Sequence, residues 1–237
     1  MFRPLPILTA ATAVALAILI ALGVWQLERR AEKHALLNAI AARAEAPSAP
    51  VEILLVTGDY AAHRAATAQG TFAHGKESYV FHPRADKGPT QPGFKVITPF
   101  ELLSGGTLLV DRGWVDQAQI DPATRALGQT EGEIELTGIL RMSAKPATFT
   151  PPPDTDRRIF YARESSAIGK RLGLTLRSPL ILELTAKVEG GPEPLPSTLN
   201  IPDNHLQYAL TWFSFAIILV VIYLRLHMLR GRLRFSR

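Results

Sequence analysis

Two long apolar runs bracket a polar middle. From Pro4 to Trp25, and again from Leu206 to Leu224, the chain carries no charged residue. Each run can cross a hydrocarbon core of about 30 Å at ~1.5 Å of helical rise per residue. The pattern predicts two transmembrane helices, over 4–27 and 204–226. Beyond the first span a helical stripe continues through Leu27, Ala31, Ala35, Ile40 and Ala44, so that helix is expected to run to about residue 45, where "APSAPV" breaks it. Its apolar run exceeds the ~7–15 residues of a signal-peptide core, and no small-residue cleavage site follows, so an uncleaved span is expected.

Between the spans the period changes from helical to strand-like. Segments 64–72, 78–84, 94–102, 106–115, 133–141 and 179–184 are short and rich in Val, Ile, Thr and aromatics. Ser104, Gly105 and Gly106 form a hairpin turn between two of them. Segments 85–93 and 149–158 are proline-dense loops, and 165–174 reads as a short helix with a serine cap and a glycine near its end. Strands that follow one another through short connections favour antiparallel pairing. The expected fold is therefore an α+β membrane protein: a helical hairpin around one exported, mainly antiparallel β domain (46–188) with one or two short helices. A linker (189–203) leads to the second span, and a basic cytoplasmic tail (227–237) follows it. Closure of the strands into a barrel is left open by the pattern.

Charge sharpens the topology. The net charge of +5 is not a nucleic-acid stripe: all 21 acidic residues lie between Glu28 and Asp203, a segment that also holds 20 of the 26 basic ones. The surplus is Arg3 with Arg225, Arg230, Arg232, Arg234 and Arg237. The positive-inside rule then puts both termini in the cytoplasm and the middle outside, in the lipid bilayer of a bacterial inner membrane with a periplasmic domain. With no cysteine, disulfides, thiolate copper sites and covalent haem attachment are excluded.

The strand region offers little chemistry. It holds no hydrolase elbow, zincin, phosphate-loop or dinucleotide motif. His63, His74 and His82 occur singly. Asp111 and Arg112 are expected to end an apolar strand as a locally paired turn beside a packed Trp114. No catalytic residue is assigned and no enzyme is expected; a sensor or enzyme using Asp111, Arg112 and His82 would require a polar pocket.

The entrance to the second span, "NHLQYALTWF" (204–213), is different. Asn204 is placed to cap the helix with Gln207 at its third position. His205 falls in the first turn, where the helix dipole and partial desolvation favour neutral imidazole, the form a haem iron needs. His205, Ala209, Trp212, Ala216 and Leu219 share one side, with the alanines leaving a shallow groove flanked by Tyr208 and Trp212. Antiparallel pairing brings Trp25 to the same level, with Gly23 allowing close approach. An aromatic belt and simple helix packing explain most of these residues equally well, whereas an ionisable group at a span is less readily dismissed.

Three motifs in order, "GVWQLERRAEK" (23–33), "LLVDRGWV" (108–115) and "NHLQYALTWFSFA" (204–216), together resemble the Surfeit locus protein 1 family of cytochrome c oxidase assembly factors. "QGTFAHGKESYVFHPR" (69–84) and "GFKVITPFELLSGGTLLV" (93–110) fit the same pattern, so the resemblance covers nearly the whole chain. It implies a protein that binds haem a and aids its insertion into oxidase subunit I, with haem a synthase as a further partner. The implied axial ligand is His205, so the metal contact is to the haem iron alone. Tyr208, Ala209, Trp212 and Trp25 are the expected pocket walls. The competing expectation is a scaffold that stabilises an oxidase intermediate without haem.

Overall fold

The computed structural model describes residues 4–85, 89–195 and 202–232. Parts of the expected 85–93 loop, the 189–203 linker and the basic tail, including Arg234 and Arg237, as well as Arg3, lie outside the described residues. By its contacts the chain divides into two units, residues 1–39 with 199–237, and residues 40–198.

The first unit is a pair of helices, α1 (Pro6–Glu45, which runs on into the second unit) and α4 (His205–Leu229). Both are long and apolar enough to cross a membrane. Shielded positions recur every three or four residues. On α1 and the residue before it they include Leu5, Thr9, Thr12, Leu16, Leu19, Gly23 and Gln26; on α4, His205, Ala209, Trp212, Ala216, Leu219, Tyr223 and His227. That alternation is the seam of two antiparallel helices packed along their length. Small residues let the backbones approach: a Cβ on Gly23 would meet the Phe213 ring at 2.5 Å.

The second unit is all that lies between. Its strands are β1 (Ala49–Pro50), β2 (Ala65–Phe72), β3 (Ser78–Phe81), β4 (Gly93–Leu102), β5 (Thr107–Asp116), β6 (Ile134–Arg141), β7 (Ile159–Phe160) and β8 (Leu176–Leu184). Helix α2 (Val51–Leu55) follows β1, and α3 (Ser165–Leu172) precedes β8. The long strands fall where the alternation predicts them; the two-residue β1 and β7 and the one-turn α2 are too short to carry a periodic signal.

The strands close into a barrel. The order β2–β6–β8–β5–β4 returns to β2 through Gly70↔Leu102, Thr71↔Glu101 and Phe72↔Phe100. Strand β2 thus pairs with β6 through its first half and with β4 through its second. Gly70 sits at the changeover, where a Cβ would stand 2.1 Å from the Glu101 carbonyl oxygen. Only glycine permits that approach. Most pairings are antiparallel, but β8 runs parallel to β5. Alternate residues fill the enclosed side: Phe100, Leu108, Val110, Leu140, Leu180 and Leu182 are all buried. The opposite face of β4, β5 and β8 presents Ile97, Leu109 and Ile181 to Ile168 of α3. Helix α3 ends at Gly173 in the left-handed conformation, as a glycine stop should. Ser165 is its first residue rather than its cap, and its N–H is met by the Ser143 hydroxyl at 2.9 Å.

Residues 189–195, expected to be linker, are pinned to the barrel. Glu193 bridges Trp114 in antiparallel fashion, and the Arg84 guanidinium donates to the Glu193 carboxylate at 2.8 Å.

Candidate functional site

The entrance to α4 is a polar cluster built from both helices of the hairpin. His205 is the first residue of α4, and its Nδ1 lies 2.8 Å from the Gln26 side-chain oxygen on α1. A carbonyl oxygen can only accept, so Nδ1 carries a proton, and in the neutral form of the ring the lone pair lies on Nε2. Nε2 has no hydrogen-bond partner among the described residues. A half-buried imidazole held through one nitrogen with the other open is the arrangement metal-ligating histidines use. A haem iron therefore fits this donor.

The cap is not the one expected. Asn204 makes no side-chain cap hydrogen bond; Asp203 does this instead, its Oδ1 accepting from the His205 N–H at 3.1 Å. Its other oxygen binds His34 Nε2 at 2.8 Å and the Arg30 Nε at 3.4 Å. These bonds, His34's first, hold the Asp203 carboxyl below the usual carboxylate range. Lys33 donates to the Pro202 carbonyl. His34, about two turns above Gln26, thus serves the approach to the helix.

The expected pocket walls divide. Tyr208 is exposed and Trp212 half-buried, its ring edge-on to Phe215 at 6.2 Å. Both lie on the His205 side of α4 and can face a ligand there. Ala209 cannot: it is 1% exposed, and Ala216 is buried with it. The shallow groove expected along the alanines is consumed by helix packing. Trp25 is also displaced. It sits at the expected level, but Gln26 occupies the seam, and the next residue on a helix points about 100° away; its side chain is half exposed. The open apolar groove of the hairpin lies instead on one flank, among Ala15, Ile18, Leu19, Phe215, Leu219 and Ile222.

At the other end of the hairpin, His227 is fully buried. Its Nδ1 is 2.9 Å from the Tyr223 carbonyl and its Nε2 accepts the Leu5 N–H at 3.3 Å. Both nitrogens are engaged, so this histidine is a latch between helix ends. Thr9 and Tyr223 hydroxyls add a bond at 2.7 Å beside it.

The barrel unit holds two buried ionic networks. Asp111 and Glu183 are register partners on β5 and β8. Like charges directly opposite repel, and here cations separate them. Lys95 donates to both, at 3.0 and 3.2 Å, and Arg163 to both, at 3.2 and 3.0 Å. Arg141 adds a bond to Glu183 at 3.3 Å. Arg112, one residue on from Asp111, points to the other side of the strand. It donates to Glu77 at 2.8 Å and covers the Phe72 ring at 4.9 Å. The locally paired turn expected of Asp111 and Arg112 is thus incorrect: they lie mid-strand, and strand alternation sends them into separate networks.

Glu77, which no sequence signal singled out, anchors the second network. It accepts from Arg112 and from Arg125 at 2.6 Å. Burial pushes its carboxyl up, but His74 at 3.8 Å, the hydrogen bond from Arg125 and the charges of Arg125 and Arg112 prevail and hold it at about 2. Tyr79 beside it is pushed up to about 12 by burial and by the Glu77 charge. A cleft of about 710 Å³ opens here, lined in part by His74, Glu77, Tyr79, Gln129 and Arg158. His82 belongs to the other network: burial, then the Lys95 charge, holds it below the ordinary histidine value. His63 is lowered by burial and by Arg141, whose NH1 is 3.0 Å from its Nδ1. Asp111, Arg112 and His82 therefore do not form one site. Among the described residues no three His, Cys, Asp or Glu side chains converge as a metal centre would require.

Fold and site together define a membrane-associated protein: a helical hairpin whose chain also forms a closed, ion-bridged barrel. The SURF1 family model matches residues 13–217. Surfeit locus protein 1 of Xenopus tropicalis is 31% identical over 209 residues, covering 81% of this chain and 67% of its own length. The Homo sapiens protein of that name is 30% identical over 209 residues, covering 81% and 68%. A SURF1-like protein of Rickettsia conorii is 30% identical over 210 residues, covering 87% and 85%. The chain belongs to the SURF1 family. The alignment spans about two thirds of the length of the vertebrate relatives and more of the Rickettsia one.

Proposed function

We propose that the protein is a membrane-bound assembly factor for haem–copper cytochrome c oxidase, and that it binds haem a through His205 and hands it to oxidase subunit I. Family membership supports the assembly role. The observation that carries the haem reading is the His205–Gln26 bond, which orients the imidazole and leaves Nε2 available to iron. The iron supplies the acceptor for that lone pair. Gln26 fixes the tautomer, and Asp203 fixes the start of the helix on which His205 stands. A single imidazole suits a carrier, since cargo must also leave. The protein on this reading moves its cargo without transforming it. Haem a synthase is the expected donor. The basic residues that follow α4, Arg230 and Arg232 among them, support cytoplasmic termini and a periplasmic barrel.

The test is purification of wild type and His205→Ala after co-expression with haem a synthase. Wild type should carry haem a, read from its Soret band; the variant should lose it while the barrel's thermal transition stays unchanged. Equal haem in both would leave the scaffold reading, in which the protein stabilises an oxidase intermediate without haem.

A further inference from the structure

The hairpin groove lies in line with His205. From His205, steps of three and four residues descend α4 through Tyr208, Trp212, Phe215, Leu219 and Ile222. From Gln26, the same steps descend α1 through Leu22, Leu19 and Ala15. The two stripes occupy the same flank of the pair, and their lower halves line the groove. Its volume is about 430 Å³ and its named walls are all hydrocarbon. Ala15 makes the space, since the stripe above it carries Leu19 and Leu22. The upper wall, Phe215, is ten residues below His205, about 15 Å of helical rise.

We infer that this groove seats the isoprenoid tail of the haem held at His205. The inference rests on the haem reading above. Haem a and haem o carry a long isoprenoid chain that haem b lacks, and beyond the hydroxyl at its ring end the chain is branched hydrocarbon. A lipid acyl chain could enter the same groove, and transfer from lipid gains little hydrophobic energy. The tail differs in being tethered. Once the iron is bound, entry of the tail is an intramolecular step at high effective concentration. Continuity of the groove with His205 along one flank selects the tethered chain over a free one. The groove thereby gives the carrier a means of preferring tailed haems over haem b.

The test uses the full chain in detergent micelles, titrated with haem b, haem o and haem a and followed by Soret absorbance. Wild type should bind haem o and haem a at least tenfold more tightly than haem b. Ala15→Phe, which fills the groove, should abolish that ratio, and Ile222→Trp at its far end should reduce it. A wild type without preference, as expected if lipid or detergent occupies the groove, overturns the inference. So does an Ala15→Phe protein that keeps the full preference, or one that loses all three haems together. His205→Ala separates the two levels. Loss of all three haems in that variant, with the preference intact in Ala15→Phe, sinks the tail seat alone. Retention of all three in His205→Ala sinks the haem reading and the tail seat with it.

Discussion

In the barrel unit, Asp111 and Glu183 stand side by side and are bridged by Lys95 and Arg163, with Arg141 on Glu183, all drawn from different parts of the chain. In the hairpin, the polar groups that bond across the two helices gather at its ends, His205 with Gln26 at one and His227 with Leu5 at the other. The barrel buries charge and pairs each buried carboxylate with cations of its own. The hairpin buries hydrocarbon along its seam and leaves His205 Nε2 without a partner among the described residues. The difference separates polar residues that hold the fold from one that is available to something else. Saturation of both nitrogens marks His227 as structural, although it is the more deeply buried of the two histidines.

The comparison breaks most visibly in the barrel. Glu183→Ala leaves Lys95, Arg141 and Arg163 facing Asp111 alone. Breaking a buried pair by removing one partner costs about 3–5 kcal/mol. Thermal or denaturant unfolding should register a loss of that size; a change below 1 kcal/mol would mean that the network behaves as a surface feature. Next is acid. Glu77 has its carboxyl held at about 2, against an ordinary 4.5. A depressed carboxylate stabilises the fold above its unfolded value, and that contribution fades as pH falls from 4.5 towards 2. The shift corresponds to about 3 kcal/mol at most. Denaturant titrations should show this decline, and Glu77→Gln should flatten it.

The hairpin answers to different changes. Gly23→Leu drives a side chain into Phe213, and overpacking of this kind costs about 1–3 kcal/mol. The helix pair should loosen, read as a lower melting temperature in lipid nanodiscs, while the barrel's own transition stays put. His227→Ala should have the smallest effect, about 1 kcal/mol for lost hydrogen bonds, and haem content should match wild type. If it removed haem as His205→Ala is expected to, the contrast between the two histidines would fail.

Much of this architecture is legible in the sequence. The spans announce themselves by the absence of charge, and the strands by alternation. The seam, too, could have been read further. Spacing of three and four from Leu5 through Thr9, Thr12, Leu16, Leu19 and Gly23 lands on Gln26 and skips Trp25. The smaller polar side chain faces the partner helix, and the larger aromatic one beside it faces outward. The alanines illustrate the converse: small residues on a helix signal close packing, and here packing used the space that a ligand would have needed. What one sequence does not disclose is cross-strand register. Lys95, Asp111, Glu183, Arg141 and Arg163 are scattered over nearly 90 residues, and only the pairing of β5 with β8 explains why they meet. Glu77 is similarly silent, a single acid before a short strand.

Strand β8 lies between β5 and β6 in the ring. Without it, β6–β2–β4–β5 is an arc with two unpaired edges. The ring can close only after residues 176–184 have been made, because β8 is the last of these strands along the chain. Until then the open edges are templates for pairing with other chains. The last strand of the domain is thus a keystone, and the time before it arrives is when the nascent chain is most exposed to aggregation.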